Sequence, residues 1–362
     1  MKDVRIIVVG MKQAELFEPA REGRIRCTAC ARYCQLSPEQ VGFCGMRENI
    51  GGKLYLLNYG MVLASHIDPI EKKPVAHYRP GTRVFSIGTS GCNFMCKYCI
   101  NYDLSQRREV AGIETDPEEL ASMALKQDCQ GVAYTYNEPT IFLEFARDVG
   151  LQARKRGLFN IFVSNGYGTP DGVKMMGEFL DCATIDFKGN GDKKFIRKYS
   201  GIPDVEPIFE TLLEIKKKTK IHIEITDLVV PKVGEDLDQA RSLSKWIHDN
   251  LGPDIPIHFL RFFPGYKMLD LPETPVETLE RHWKAAKDEG LNYAYVGNVP
   301  GHKLEHTYCP DCKRIVVERF GVEIIGWHLT ENNSCQYCGE RIAIEGKLSN
   351  TVNEKRFLPA YF

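Results

Sequence analysis

Short apolar stretches alternate with amphipathic stretches of about ten or more residues from Thr82 to Val299. The apolar stretches have the length of buried strands, and the amphipathic ones have the length and periodicity of helices. The predicted strands are residues 83–88, 131–136, 161–163, 183–187, 221–228, 257–262 and 293–296. Repeats of this kind form right-handed βαβ units around a parallel sheet. The sequence therefore predicts an α/β fold with a partial (β/α)6-type barrel.

Polar residues follow or close several of these predicted strands. They are Glu138, Ser164, Asn165, Asp186, Lys188, Asp227 and Arg261, and His258 lies within a strand. In barrels of this type the active site lies at the C-terminal ends of the strands. We therefore expect an active site at that end.

The chain contains 13 cysteines, and 11 of them fall into three groups. The groups are Cys27, Cys30, Cys34 and Cys44; Cys92, Cys96 and Cys99; and Cys309, Cys312, Cys335 and Cys338. In a reducing compartment, grouped cysteines bind metals more often than they form disulfides. Cys129 and Cys182 stand alone, and we predict that both are buried packing residues.

The central group, Cys92, Cys96 and Cys99, has the spacing CxxxCxxC and directly follows the first predicted strand. A [4Fe–4S] cluster normally takes one cysteine on each of its four irons, so three cysteines leave one iron open. An open coordination position distinguishes a reactive metal site from a structural one. The alternative, a zinc loop, needs a fourth ligand, and none is obvious in the nearby sequence.

This spacing, with the aromatic residue Tyr98 before the third cysteine, resembles the signature of the radical S-adenosylmethionine (SAM) superfamily. The resemblance implies that SAM binds the open iron and is cleaved by one electron to methionine and a 5′-deoxyadenosyl radical. That radical abstracts a hydrogen atom from a substrate. It also implies a reductant such as ferredoxin or flavodoxin, an oxygen-sensitive cluster and anaerobic working conditions.

The resemblance also suggests residues that contact SAM. Tyr98 would pack against the adenine. Asp186-Phe187-Lys188 resembles the Asp-hydrophobic-Lys motif of activating-enzyme-like members, in which Asp and Lys contact the ribose and carboxylate of SAM. The alternative for Asp186 and Lys188 is an ordinary surface ion pair, which would stabilise the fold by at most ~1 kcal/mol.

Three further SAM contacts are expected from the same resemblance. Glu138, in Tyr136-Asn137-Glu138, keeps the acid of the family's Gly-Gly-Glu motif, which holds the SAM amino group, but the glycines are missing. Asn165 is placed for a ribose hydroxyl or carboxylate contact. His258 resembles a histidine that approaches SAM in glycyl-radical activating enzymes. Alternatively, Glu138 caps the following helix, and His258 is a core histidine.

Three stretches resemble the radical SAM family of the AmmeMemoRadiSam system more closely. They are Gly42-Phe43-Cys44-Gly45, Asp68-Pro69-Ile70-Glu71-Lys72-Lys73-Pro74 and Tyr134-Thr135-Tyr136-Asn137-Glu138-Pro139. The family takes its name from two other proteins with which it co-occurs. The resemblance therefore implies partners of those two classes.

The last cysteine group, Cys309, Cys312, Cys335 and Cys338, forms two CxxC pairs separated by 22 residues. Two such pairs close a tetrahedral site with no open position. Two predicted strands, 315–320 and 322–329, lie between them, which favours a zinc-ribbon-like module with structural Zn²⁺. A rubredoxin-like iron and an auxiliary cluster are the alternatives.

The first group, Cys27, Cys30, Cys34 and Cys44, has the pattern CxxCxxxC followed by a fourth cysteine. This pattern is compatible with zinc, a mononuclear iron or a second iron–sulfur cluster, and also with free thiols. A second cluster could relay electrons to the first one, whereas zinc would make the segment a structural lid.

These features divide the chain into three predicted parts: an N-terminal cysteine-containing segment (1–81), a radical SAM barrel (82–300) and a C-terminal module (301–362). Lys and Arg total 47 against 48 Asp and Glu, which argues against a large nucleic-acid footprint. No apolar stretch approaches the ~18 residues of a membrane helix, and the run Ile6–Val9 is predicted to be a short strand. We therefore expect a cytoplasmic enzyme without a membrane partner.

The sequence leaves the substrate open, as either a protein or a small molecule. One alternative function is a glycyl-radical activating enzyme, which Asp186, Lys188 and His258 favour. A second is an enzyme that modifies a protein or RNA. A third is a metal-stabilised binding protein without catalytic activity.

Overall fold

The computed structural model describes residues 10–349. The predicted strand Ile6–Val9 and the last 13 residues of the predicted C-terminal module lie outside this range. No helix in the described part is long and apolar enough to cross a membrane.

The strands of this part are, in chain order, β1 Lys12–Gln13, β2 Phe17–Pro19, β3 Ile25–Cys27, β4 Gln35–Leu36, β5 Arg47–Ile50, β6 Lys53–Leu56, β7 Met61–Val62, β8 Ala64–Pro69, β9 Arg83–Gly88, β10 Ile113–Glu114, β11 Gly131–Tyr134, β12 Phe159–Ser164, β13 Cys182–Lys188, β14 His222–Val229, β15 Ile257–Arg261, β16 Ala294–Gly297, β17 Thr307–Tyr308, β18 Ile315–Phe320 and β19 Glu323–Trp327. The helices are α1 Tyr102–Ser105, α2 Pro117–Lys126, α3 Leu143–Lys155, α4 Pro170–Met176, α5 Lys193–Phe195, α6 Glu206–Lys218, α7 Leu237–Leu251 and α8 Val276–Asp288.

Eight strands form the central sheet, in the order β8-β9-β11-β12-β13-β14-β15-β16. Strands β9 to β16 of this sheet run parallel, and β8 pairs antiparallel with β9. All seven predicted strands are present, which confirms the α/β prediction. The sheet also takes in β8, which lies within the predicted N-terminal segment 1–81.

Local capping signals fix where the helices between the strands begin. The Asp116 side chain accepts a hydrogen bond from Glu118 N at 2.7 Å, and Pro117 occupies the first turn of α2. Asp236 caps α7 in the same way, by accepting from Asp238 N and Gln239 N. These caps satisfy backbone N–H groups that have no partner within the helix.

Residues 70–82, here called the inner segment, connect β8 to β9 across the concave face of the sheet. Its backbone is bound by side chains of the sheet strands: Glu224 on β14 accepts from Ala76 N and His77 N at 2.7–3.0 Å. Its apolar residues Ile70, Val75 and Tyr78 pack in one cluster with residues of β9, β11, β12 and β13. One short segment thus contacts five neighbouring strands of the sheet, β9, β11, β12, β13 and β14. The inner segment fills the end of the barrel where the parallel strands begin.

The two lone cysteines lie in this interior as packing residues. Cys182 is fully buried in the cluster around the inner segment, and Cys129 is 3% exposed in the main core. Both predictions for these residues are confirmed.

The C-terminal module closes the same end of the barrel from outside. Its strands β17, β18 and β19 form an antiparallel sheet, and Tyr293 and Tyr295 from the barrel pack into its core. His77 Nδ1 lies 2.8 Å from Ala343 O, and Glu345 N donates to His77 O at 2.8 Å. The module therefore holds the inner segment in place, at the end opposite the expected active site.

The N-terminal segment attaches to the barrel through a buried ion pair. Arg47 on β5 bonds both carboxylate oxygens of Glu144 on α3, and each side chain is 2% exposed. Arg47 Nε also donates to Ile141 O at 2.9 Å, and Glu144 accepts from Glu15 N. The guanidinium holds the pKa of Glu144 below its usual range despite burial.

We expect Arg47→Met to lower the free energy of unfolding by about 3–5 kcal/mol, because it leaves the Glu144 carboxylate buried without its partner. Adding Glu144→Leu should restore most of that loss, since an apolar pair replaces both charges. Urea unfolding measures both effects. Lys245→Ala, which removes an exposed ion pair with Asp249, is the control and should cost less than about 1 kcal/mol. A cost for Arg47→Met equal to that control would contradict the assignment.

Stability should also fall as the pH rises through the range in which His222 loses its proton. His222 lies 2.9 Å from Glu345 and 3.4 Å from Glu224. Burial opposes its charge, but the two carboxylates raise its pKa from 6.5 to about 9. Because the pKa of His222 is higher in the folded state than in the unfolded state, its protonation stabilises the fold. This contribution is complete below about pH 6.5 and disappears above about pH 9. Its size is about 3 kcal/mol, from the pKa difference.

Unfolding free energies across this pH range should therefore decline more steeply for wild type than for His222→Gln. His248→Gln, on an exposed helix surface, should keep the wild-type slope. An unchanged slope in His222→Gln would show that another group controls the decline.

Candidate functional site

The loop that carries Cys92, Cys96 and Cys99 begins where β9 ends, at the C-terminal edge of the sheet. The side chain of Asn137 holds its start, by accepting from Thr89 N at 3.2 Å and donating to Gly91 O at 2.8 Å. Met95 N and Lys97 N bond the carbonyls of Ser200 and Tyr199, in a π-helical turn after α5. The loop is thus fixed from two directions by backbone and amide groups.

The three thiols of this loop face inward but do not form a tight group. Cys92 and Cys96 are buried, Cys99 is partly buried, and Cys99 Sγ lies 3.1 Å from Ser105 Oγ. Among residues 10–349, only one group of three or more His, Cys, Asp or Glu side chains has all its ligand atoms within 4.8 Å of one another. Cys92, Cys96 and Cys99 do not belong to that group. Cysteines on one zinc ion lie about 3.8 Å apart, given a Zn–S bond of 2.3 Å. Ligands of different irons in a cubane cluster are further apart, so this donor set fits a [4Fe–4S] cluster.

Burial raises the pKa of Cys96 to about 11, although Lys188 acts in the opposite direction. Burial also raises the pKa of Cys92 well above its usual value. Thiolates at such a site need a bound metal to stabilise their charge.

Asp186 and Lys188 close β13 beside this loop. Lys188 Nζ lies 2.6 Å from Asp186 Oδ2, and Thr226 Oγ1 donates to the other carboxylate oxygen. The side chain of Lys188 is 18% exposed and that of Asp186 is 23% exposed. The pair is therefore largely buried and is not an ordinary surface ion pair. Burial would lower the pKa of Lys188, but Asp186 and the thiols of Cys96 and Cys99 raise it above its usual value. The motif therefore places a charged pair within the electrostatic field of the cysteine loop.

Glu138 is 2% exposed and makes several structural hydrogen bonds. Its carboxylate accepts from Thr140 N and Ser164 Oγ through one oxygen and from Asn165 N through the other. The structure thus contains the capping interaction. Burial raises the pKa of Glu138, and among residues 10–349 it has no ion-pair partner within 4.0 Å. The Glu138 carboxylate could therefore form an ion pair with a cationic group of a ligand.

Asn165 contacts the cysteine loop directly. Its Nδ2 donates to Asn93 Oδ1 at 2.7 Å, and its Oδ1 accepts from Tyr167 N. Asn93 follows Cys92 and is fully buried. Asn165 thus positions the loop through its neighbour.

Tyr98 and His258 lie deeper than their predicted roles require. Tyr98 is 4% exposed, bonds Ser200 Oγ at 2.6 Å through its hydroxyl and stacks on Phe195. His258 Nε2 lies 2.8 Å from Glu224 Oε2, and its ring stacks on Tyr295. The structure therefore gives His258 the partners of a core histidine, in the same layer as Asp186 but two strands away.

Tyr136, one of the two residues in place of the family's glycines, has a backbone conformation that favours glycine. Tyr136 has φ +70°, a conformation that is unfavourable for a bulky residue. Its hydroxyl bonds Asp68 Oδ2 at 3.0 Å, its carbonyl accepts from Asn101 Nδ2, and Lys73 lies over its ring. These contacts offset the strain, so the backbone shape that glycine would give is present without glycine.

Sequence reasoning missed several residues that build this site. Asn137 and Asn93 shape the loop, and the buried Asp68–Lys73 pair, 2.6 Å apart, supports Tyr136. The stretch that contains Asp68 and Lys73 was noted for its resemblance only. Its density of charges between prolines was the available signal that it contacts other buried groups.

The outer cysteine groups differ from each other in geometry. In the C-terminal module the sulfurs of Cys309, Cys312, Cys335 and Cys338 all lie within 4.8 Å of one another. Two pairs are 3.6 and 3.7 Å apart. In the N-terminal segment, Cys27, Cys30, Cys34 and Cys44 line one small enclosed pocket without forming such a tight group.

The N-terminal pocket and the central loop meet at Gly91. This residue has φ +88°, and a Cβ added to it would lie 2.5 Å from Cys44 O and 2.7 Å from Met46 Cγ. Arg108 Nη1 bonds the carbonyls of both Cys44 and Cys92. The two cysteine-bearing segments are therefore packed directly against each other.

Comparison with known proteins shows similarity both in part of the chain and over most of it. Residues 86–247 match the family model described as the radical SAM superfamily. The chain is 41% identical over 338 residues to the uncharacterized protein MJ0808 of Methanocaldococcus jannaschii. The matched region covers 92% of this chain and 99% of that protein. The central part of the chain is therefore a radical SAM domain, within a family that includes MJ0808.

Two solved structures are also similar to part or most of the chain. A radical SAM methyltransferase from Sphaerobacter thermophilus is 10% identical, covers 81% of this chain and 78% of its own, and has a TM-score of 0.47. A domain of pyruvate-formate lyase-activating enzyme from Bacteroides vulgatus is 17% identical, covers 46% of this chain and 99% of its own, and has a TM-score of 0.40.

We expect Gly91→Ala to reduce the iron content of the reconstituted protein severely, because its new Cβ would separate the Cys44 and Cys92 segments. Gly157→Ala is the matched control: Gly157 also has a positive φ, +75°, but nothing lies within 4 Å of an added Cβ. That variant should lose only about 1 kcal/mol of stability and no iron. Iron analysis and thermal unfolding measure both, and equal effects would show that the close approach is unimportant.

Proposed function

We propose, since this chain belongs to the radical SAM superfamily, that it cleaves SAM reductively at a [4Fe–4S] cluster held by Cys92, Cys96 and Cys99. The observation that carries this proposal is the placement of three separated thiols at the C-terminal edge of the sheet, beside the Asp186–Lys188 pair. Three cysteines leave one iron open for a ligand. When bound, the cluster and SAM supply a 5′-deoxyadenosyl radical that abstracts a hydrogen atom from the substrate.

The protein's own groups would bind and orient SAM. Lys188 is a cation suited to the SAM carboxylate, and Asp186 is an acceptor suited to ribose hydroxyls. Glu138 would bind the amino group, since its buried carboxylate already accepts hydrogen bonds from neutral donors and would gain a cationic partner. Asn165 would act by holding Asn93 and the loop. Tyr98, which stacks on Phe195, would pack against the adenine site.

The inner segment would keep solvent out of the reaction. Together with the C-terminal module it fills the end of the barrel where the strands begin, so substrate would enter from the opposite end, past the cysteine loop. Besides binding and orienting the cofactor, a protein contributes to radical chemistry by excluding competing reactions with water and oxygen. A small one-electron donor of the ferredoxin or flavodoxin class would supply the electron. The AmmeMemoRadiSam relationship and its two partner classes remain a prediction.

The C-terminal module is proposed to hold structural Zn²⁺. Sulfur separations of 3.6 and 3.7 Å match the value of about 3.8 Å expected around one tetrahedral ion, and they are too short for cysteines on different irons of a cubane. With this metal the three parts of the chain are an N-terminal cysteine segment, a radical SAM barrel and a zinc-ribbon-like module.

We expect the protein, reconstituted without oxygen and reduced with dithionite, to convert SAM to 5′-deoxyadenosine, measured by chromatography. Replacing Cys92, Cys96 and Cys99 with alanine should abolish the product. Lys188→Met should raise the KM for SAM about tenfold or more, because a hydrogen bond to a charged group contributes about 1.5–3 kcal/mol. Lys198→Met, a neighbouring lysine outside the pair, is the control. No product from protein with a full cluster would favour a non-catalytic metal protein.

A further inference from the structure

The N-terminal cysteines come from two turns that face one enclosed pocket. Cys27 ends β3, Cys30 and Cys34 lie in the turn to β4, and Cys44 lies in the turn before β5. Cys27 N donates to Cys34 O at 2.9 Å, which closes the first turn. All four side chains line the pocket. Four cysteines around one enclosed space form a complete ligand set without a further residue.

The separation of these sulfurs distinguishes the metal they can hold. Within residues 10–349, no three of the four lie within 4.8 Å of one another, whereas the C-terminal cysteines all do. In this respect the N-terminal group resembles the central triad. One tetrahedral ion would require sulfurs about 3.8 Å apart. The N-terminal set is too open for a single zinc or iron ion and suits ligands bound to different irons of one cluster.

Backbone hydrogen bonds to sulfur follow the same pattern in both groups. Met46 N donates to Cys44 Sγ at 3.5 Å, and Phe94 N donates to Cys92 Sγ at 3.4 Å, in each case from two residues further along the chain. Hydrogen bonds to the sulfurs are one of the means by which proteins tune iron–sulfur clusters. The two loops therefore present cysteines to a metal in a similar local conformation.

Asn93 provides an independent observation that points to a ligand in this pocket. It is fully buried and lines the pocket beside the four cysteines. Its Oδ1 accepts from Asn165, but Nδ2 has no hydrogen-bond acceptor in the described part of the chain. A buried amide N–H₂ without an acceptor is energetically unfavourable. A sulfide or thiolate sulfur of a cluster would supply that acceptor.

Two arginines line the N-terminal pocket, and the pocket packs closely against the central loop. Arg32 and Arg47 also line the pocket, and a cluster bound by four thiolates is negatively charged. Arg32 Nε donates to Asn93 O at 2.5 Å, which ties the pocket to the central loop. Asn93, Arg32 and the Arg108 contacts described above connect the two cysteine groups directly. Cys34, by contrast, is partly exposed and lies toward the surface.

We propose that Cys27, Cys30, Cys34 and Cys44 hold a second [4Fe–4S] cluster, which passes single electrons from a surface-bound donor to the cluster at Cys92, Cys96 and Cys99. With a cysteine on every iron this cluster has no open position for SAM. An external ferredoxin- or flavodoxin-class donor is oxidised by one electron, the second cluster is reduced from the 2+ to the 1+ state, and it is reoxidised when it reduces the SAM-binding cluster. The relay rests on the proposed function, but the presence of the cluster does not.

The presence of the second cluster is tested in the full chain with Cys92→Ala, Cys96→Ala and Cys99→Ala, reconstituted anaerobically with iron and sulfide. The expected result is about four irons and four sulfides per chain, with an electron paramagnetic resonance signal after reduction. Adding Cys30→Ser and Cys44→Ser should remove the iron, whereas adding the buried Cys129→Ser should leave it. Two zinc ions per chain and no iron would overturn the proposal.

Misfolding of the cysteine variants is controlled in two ways. Retained zinc at the C-terminal module and an unchanged circular dichroism spectrum identify a folded chain. In addition, Asn93→Leu in the same background should keep the iron but lower the midpoint potential, because an N–H donor to the cluster is lost. An unchanged potential would contradict the position assigned to Asn93.

The relay is tested by the rate of 5′-deoxyadenosine formation with two reductants. In a chain with the central cysteines intact, Cys30→Ser with Cys44→Ser should slow the reaction about tenfold or more with reduced flavodoxin but far less with dithionite. Equal rates with flavodoxin would overturn the relay. No product from wild type with either reductant, together with about eight irons per chain, would overturn the proposed function and leave the second cluster standing.

Discussion

The buried carboxylate of Glu224 connects the parts of this structure that would otherwise be independent. It accepts backbone hydrogen bonds from Ala76 and His77 of the inner segment and a side-chain contact from His258. His222, at the start of the same strand, links it to Glu345 of the C-terminal module. A carboxylate without these partners would be costly inside a sheet. Because one charge is satisfied by the inner segment, the sheet and the module together, the stability of each part depends in part on the others.

Closure of that end leaves the opposite end of the barrel for the proposed site. The inner segment occupies the interior near the starts of the strands, and its Lys73 pairs with Asp68, whose carboxylate also bonds Tyr136. Tyr136 in turn keeps its strained backbone one residue before Asn137, which holds the cysteine loop. A continuous series of buried contacts therefore runs from the closed end of the barrel to the loop. This series explains how a chain without the family's glycines can keep the loop in place.

The sequence predicts the framework well, because strand and helix periodicity is local. All seven predicted strands of the central sheet are present, and Asp186 and Lys188 lie together at its edge. It predicts hydrogen-bond partners poorly, because they depend on contacts far apart in the chain. The bond between Glu138 and Ser164 joins different strand ends, and the partner of His258 lies on the neighbouring strand. The inner segment shows neither strand nor helix periodicity, so the usual local patterns do not predict its path along the sheet.

The three cysteine groups show how far spacing along the chain can identify a metal. Each CxxC turn brings two sulfurs together locally, and the strands between the turns then bring the two pairs into contact, with Cys309 3.6 Å from Cys338 and Cys312 3.7 Å from Cys335. A CxxCxxxC pattern does not fix the separations, because its fourth ligand, Cys44, arrives from another turn. The turn that carries Cys44 packs closely against Gly91, and Cys44 faces a pocket that Asn93 also lines. The spacing along the chain therefore leaves the N-terminal metal open, and the proposed second cluster rests on the tertiary placement of the four cysteines and of Asn93.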